Sequence, residues 1–168
     1  VLNQGIRNAN DGLSTLQIKD GALNNISTLL DRLSTLATQS ASAASNVDRT
    51  ALDGEFQDVL GEIDREANVA GLTASSGFSV FVSNDGGNGW VNGTIGAADT
   101  TALGLTGASF DVTTAGNAAT AVSTIATAVS TLGTAQSTIG TLQNRLQFAI
   151  GLANSQVVSN KAAESRIR

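Results

Sequence analysis

A heptad that runs almost unbroken through the last third of the chain limits its fold more than any other feature. Taking alternate steps of three and four residues from Val122 gives Val122, Ile125, Val129, Leu132, Gln136, Ile139, Gln143, Leu146, Ile150, Ala153, Val157 and Asn160. Nine of these twelve positions are apolar, and apolar residues recurring every 3.5 positions form the packing stripe of an α-helix. The spacing predicts a longest helix over 117–166. At a rise of about 1.5 Å per residue it would extend roughly 70 Å, too far for a globular core of this chain length to enclose. The predicted fold is therefore mainly α: an elongated antiparallel bundle of long helices with a small β-hairpin element. Val122, Ile125, Val129, Leu132, Ile139, Leu146, Ile150 and Val157 are the predicted heptad core. Gln136 and Gln143 either set the register as polar core positions or lie at the edge of the seam in solvent.

The rest of the chain supplies partners for that rod. Leu23, Ile26, Leu30, Leu33 and Ala37 recur at helical spacing within a first helix over 1–42, and Leu29 and Leu36 widen the stripe. Locally, Asn10-Asp11-Gly12 is a turn signal inside that helix. Ala41–Asn46 has no periodicity and reads as a link. Asp48 is a predicted N-cap for a second helix over 47–69, whose face carries Leu52, Phe56, Val59, Leu60, Ile63 and Ala67. Residues 76–113 change character. Phe78–Val82 and Trp90–Ile95 flank Asn84-Asp85-Gly86-Gly87-Asn88-Gly89, a hairpin pattern, and Ala108–Val112 reads as a second, weaker extended stretch. Trp90, Phe78 and Phe81 are expected to pack the hairpin onto helices.

The residue inventory narrows function by subtraction. Among 168 residues there is no His, Cys, Pro or Met. The usual general base, the thiol nucleophile, the zinc ligands and any disulfide are all missing. Glu62 with Glu66, and Asp58 with Glu62, stand one helical turn apart beside Arg65 and read as a solvated face rather than a catalytic pair. The 84–89 loop has alternating oxygen ligands but no closing Glu for calcium. Neither a catalytic residue nor a metal site nor a cofactor is expected. A net charge of −5 without a basic patch argues against nucleic acid, and no run of 18 apolar residues predicts membrane insertion. Without a starting Met, the chain reads as a trimmed fragment whose two missing ends continued its terminal helices.

Particular strings carry a family resemblance. Arg7-Asn8-Ala9-Asn10-Asp11-Gly12, Gly21-Ala22-Leu23 and Leu36-Ala37-Thr38-Gln39-Ser40-Ala41 resemble the amino-terminal half of bacterial flagellins. Ile139-Gly140-Thr141-Leu142-Gln143-Asn144-Arg145-Leu146 and Ala163-Glu164-Ser165-Arg166-Ile167-Arg168 resemble the carboxy-terminal half, and Glu62-Ile63-Asp64-Arg65 falls between them. The resemblance implies a core domain over 1–168 with little outer domain, and helix running through Asn10-Asp11-Gly12. It implies a structural subunit that self-assembles with other flagellin subunits into the extracellular flagellar filament for motility. In the intact protein it also implies the flagellar export apparatus and an export chaperone, and it implies that a fragment without the polymerising terminal segments is a monomer. By the same resemblance Arg32, Leu36, Gln39 and Glu55 form a lateral-contact surface that binds the vertebrate flagellin-sensing Toll-like receptor. Ser34 and Thr35 depart from the family there. A hook–filament junction protein, or a surface adhesin binding glycans through the hairpin face, are the alternative readings.

Overall fold

The computed structural model describes residues 1–42, 47–83 and 89–168. Its elements run α1 (Leu2–Ala41), α2 (Arg49–Val69), β1 (Ser76–Phe81), β2 (Trp90–Ile95) and α3 (Ala115–Ile167). Among the described residues the chain is mainly α, with three long helices and one two-stranded antiparallel sheet. It divides into two compact units. One comprises Val1–Ile18, Ser76–Ile95 and Ser137–Arg168; the other comprises Lys19–Ser75 and Gly96–Gln136.

In the second unit α1 and α2 run antiparallel, since Asn25 donates to Glu66, Arg32 to Glu55, and Arg49 reaches back to the carbonyl of Ser40. Helix α3 is antiparallel to α1 here: Gln136 donates to Asn24 at one end, and Ser40 donates to the Val112 carbonyl at the other. Leu23, Ile26, Leu30, Leu33 and Ala37 of α1 are buried with Phe56, Leu60, Ile63 and Ala67 of α2. Each fully buried Leu, Ile or Phe contributes about 1.5–3 kcal/mol of hydrophobic stabilisation before entropy is counted. Helix ends are closed locally. The Asp48 carboxylate accepts from the Ala51 amide at 3.0 Å, the N-cap its sequence position predicts. At the other end of α2, Gly71 adopts φ +70°, and Lys19 Nζ donates to the carbonyls of Ala70 and Gly71, a cation placed where the helix dipole is negative.

In the first unit the hairpin pairs Ser76 with Ile95 through Phe81 with Trp90. Its inner face presents Val80, Val91 and Ile95. Two glycines let the α1 backbone approach it closely. A Cβ on Gly5 would stand 2.0 Å from the Val82 carbonyl oxygen, and one on Gly12 would stand 2.8 Å from a Val80 methyl. Asn8 Nδ2 donates to the Phe81 carbonyl, and Arg145 Nη1 from α3 donates to that of Asn92. Helix α1 passes through Asn10-Asp11-Gly12 without a break: the glycine that signals a turn by itself is required here as a contact surface. The predicted turn and the calcium-like pattern at 84–88, and the end of the predicted link at 43–46, lie outside the described residues.

Three expectations are corrected. The α3 seam is Ala118, Ala121, Ile125, Ala128, Leu132, Ala135, Ile139, Leu142, Leu146 and Ala153. Ile125, Leu132, Ile139 and Leu146 are buried. Val129 is 43 % exposed, while Val122, Ile150 and Val157 are only half-buried. At Val122, Val129, Gln136 and Gln143 the stripe takes the residue one position earlier, Ala121, Ala128, Ala135 and Leu142, whereas beside Ile150 and Val157 the preceding Ala149 and Gln156 are not buried. Gln136 and Gln143 consequently sit beside the seam rather than in it. Ala108–Val112 is not a strand: it is a bend in which the Val112 amide goes to Asp53 and Phe110 N–H to Gly107, and Gly104 and Gly107 hold positive φ. Trp90 does not pack inward. It is exposed on the outer hairpin face, edge-on to Phe81 with ring centroids 5.1 Å apart.

By length and composition α3 is apolar enough to cross a membrane. Only 33 % of that apolar stretch is buried. Its outer faces carry Thr120, Thr124, Thr127, Thr131 and Thr134, whose hydroxyls bond to carbonyls four residues back, so these polar groups are satisfied within the helix itself.

Candidate functional site

The residues singled out by resemblance lie on α1 and the start of α2. The Arg32 guanidinium forms an ion pair with Glu55, with Nε donating at 2.9 Å and Nη2 donating to the same oxygen. Their side chains are 50 % and 46 % exposed. Such a pair in solvent contributes only about 0–1 kcal/mol; its main effect is to fix the direction of two long side chains. Gln39 is also exposed, and it lines a shallow depression with Val47, Asp48, Ala51, Leu52 and Glu55. Arg32, Gln39 and Glu55 are thus brought to one surface.

Leu36 is not part of it. It is 1 % exposed, so its assignment as a surface contact is corrected. Leu33, Leu36, Ala37 and Ser40 are all buried, which means that α1 turns a wide face inward at this level and Leu36 lies on its flank. Nearby, Arg49 donates to the Ser40 and Ser42 carbonyls at 3.0 and 2.7 Å, closing the end of α1.

Sequence reasoning missed what the α2 carboxylates do. Asp53 accepts the Val112 amide, and Asp64 accepts both the amide and hydroxyl of Thr100, so two side chains from α2 anchor the 100–112 loop. The signal available was their spacing of eleven residues, three helical turns on one side of α2. Glu62 and Arg65 form an exposed pair. Its hydrogen bond to Arg65 lowers the Glu62 pKa, and the same bond raises that of Arg65. No group of three or more His, Cys, Asp or Glu side chains able to hold a metal occurs among the described residues.

The comparisons with known proteins agree with this architecture. The bacterial flagellin N-terminal helical region model matches residues 1–84. The chain belongs to the bacterial flagellin family. It is 41 % identical over 85 residues to the flagellin of Salmonella rubislaw, an overlap covering 50 % of this chain and 17 % of that protein. Against Clostridium tyrobutyricum flagellin the identity is 43 % over 68 residues, 40 % of this chain and 18 % of the relative. The chain thus spans under a fifth of the curated flagellins it matches. Bacillus cereus flagellin, known from its crystal structure, superposes with a TM-score of 0.75 at 28 % identity, over 94 % of each chain. The flagellin likeness therefore extends past the N-terminal match to the hairpin and α3.

Proposed function

We propose that this chain is a structural part of the subunit that self-assembles into the flagellar filament, outside the bacterial cell, and serves motility rather than catalysis. The superposition on Bacillus cereus flagellin over nearly the whole of both chains carries this reading. A subunit with unlike surfaces repeats through heterologous contacts, and these build an open helical polymer whenever the rotation does not close. In the intact protein the partners are other flagellin subunits, with an export chaperone and the flagellar export apparatus on the route out.

Immunogold electron microscopy of flagella, with antibody raised to this chain, tests the assignment. Label along the filament's full length is expected. Label confined to the hook end would give the role to a junction protein, and label absent from flagella would remove the filament role.

The surface holding Arg32, Gln39 and Glu55 supports a finer reading: it is the contact for the vertebrate flagellin-sensing Toll-like receptor. A half-exposed, pre-oriented Arg–Glu pair beside an open depression offers directional charged contacts. Leu36 acts there only by holding α1 in place. A receptor-reporter assay on Arg32→Ala decides it: the response should fall, and an unchanged response removes the site.

A further inference from the structure

Charge is divided unevenly between the two compact units. The unit of Lys19–Ser75 and Gly96–Gln136 holds four basic and eleven acidic residues, and the other holds five basic and three acidic. The units therefore carry −7 and +2, which together make the chain's −5. One copy of the chain thus offers surfaces of opposite sign to another copy.

Each unit also carries an exposed surface feature of its own. On the basic unit, Trp90, Phe148 and Leu152 are 47 %, 81 % and 63 % exposed, and they line a single groove with Arg145 at its rim. Arg145 is exposed and commits Nη1 to the Asn92 carbonyl at 2.9 Å, so its other guanidinium N–H groups remain available. On the acidic unit, Gly54, Asp58, Gly61 and Arg65 follow one another at spacings of four, three and four. At 3.6 residues per turn they lie opposite the buried Phe56, Leu60, Ile63 and Ala67. No atom stands within 4 Å of where a Cβ would be on Gly54 or Gly61, so the helix backbone is bare on both sides of Asp58. Asp58 has no hydrogen-bond or ion-pair partner among the described residues. Arg65 is occupied by Glu62.

We propose that the Trp90–Phe148–Leu152 patch of one copy packs onto the Gly54–Asp58–Gly61 row of α2 in the next copy, with Arg145 facing Asp58. Large apolar side chains fill the spaces left by the two glycines, and the carboxylate between them meets the cation at the rim of the groove. The contact joins unlike surfaces, so it propagates in one direction instead of closing a pair. It rests on the filament reading and specifies one of its interfaces. In the soluble chain the contact can be detected by trapping it covalently.

The absence of cysteine from the chain provides the means. Gly61→Cys and Phe148→Cys, placed together in one chain and oxidised at millimolar concentration, should yield a ladder of covalent oligomers. Gly133→Cys with Phe148→Cys should yield only the collisional background. Asp58→Arg or Arg145→Asp alone should reduce the ladder severalfold, and the two together should restore it. A ladder no stronger than the Gly133 control, or a double charge swap that fails to recover it, overturns the proposal. Filaments that label with antibody while the ladder fails would sink this contact alone; unlabelled filaments would sink the function on which it rests.

Discussion

Arg32 and Glu55, 23 residues apart in sequence and on different helices, share one ion pair at the surface between α1 and α2. Because both side chains are about half exposed, removing either should lower stability by no more than about 1 kcal/mol. Arg32→Ala and Glu55→Ala should therefore melt close to the parent while losing receptor response. If the melting temperature drops steeply, the pair is a structural clamp and any reporter loss says nothing about contact.

Leu36 gives the opposite expectation. It sits in the interior beside Leu33 and Ala37, and truncating a buried leucine costs about 2–5 kcal/mol. Urea unfolding of Leu36→Ala should show that loss as a lower midpoint with little change in slope. A near-parental midpoint would return Leu36 to the surface.

The seam of α3 can be tested by two neighbours. Ala128 is fully buried and Val129 is largely outside. Ala128→Leu should cost about 1–3 kcal/mol through overpacking, whereas Val129→Ala should change stability by about 0.5 kcal/mol or less. The reverse ranking would mean that the helix is turned to the alternative register.

That one-residue displacement marks where sequence stops being informative. Ile125, Leu132, Ile139 and Leu146 recur every seven residues and are legible as core. The intervening row can lie three or four residues on, at Ala128 or at Val129, and hydrophobicity alone favours the valine. The fold turns Ala128 inward and leaves Val129 43 % exposed, a choice that depends on the neighbouring elements and not on hydrophobicity. Leu36 was ambiguous for a related reason, since a flank position belongs to the core or the surface according to how many helices cover it. Asp48 was legible because a cap needs only its own next three residues. Asp53 and Asp64 were not, because their partners Val112 and Thr100 lie 59 and 36 residues away. Asn10-Asp11-Gly12 was resolved by resemblance alone, since its reason is the hairpin packed against Gly12.

Two glycines of α1 should respond in opposite directions to one substitution. Alanine is favoured over glycine inside a helix by about 0.5–1 kcal/mol. Gly21 has nothing within 4 Å of its would-be Cβ, so Gly21→Ala should stabilise by that amount. Gly5→Ala would place a methyl against the backbone oxygen of Val82, and it should destabilise and shift Trp90 emission as the hairpin moves. Equal stabilisation by both would mean that the hairpin does not rest on α1.

The last expectation concerns acid. The Asp111 carboxylate accepts from Asn117 Nδ2 and from the hydroxyl and amide of Thr113, and these bonds, the first foremost, hold its pKa below the ordinary value of 3.8. A carboxyl depressed in the folded state contributes stability that is complete above its unfolded pKa and is lost as pH falls through its folded one. The ionised group fixes the turn that leads into α3, and charged acceptors bond about twice as strongly as neutral ones. Asp111→Asn keeps the shape and removes the charge. At neutral pH the parent should melt above this variant, and the gap should close as pH falls through 3.8 and below. Thermal melts of both proteins across that range check this. A gap that stays constant into acid would show that the Asp111 charge contributes nothing to holding the start of α3.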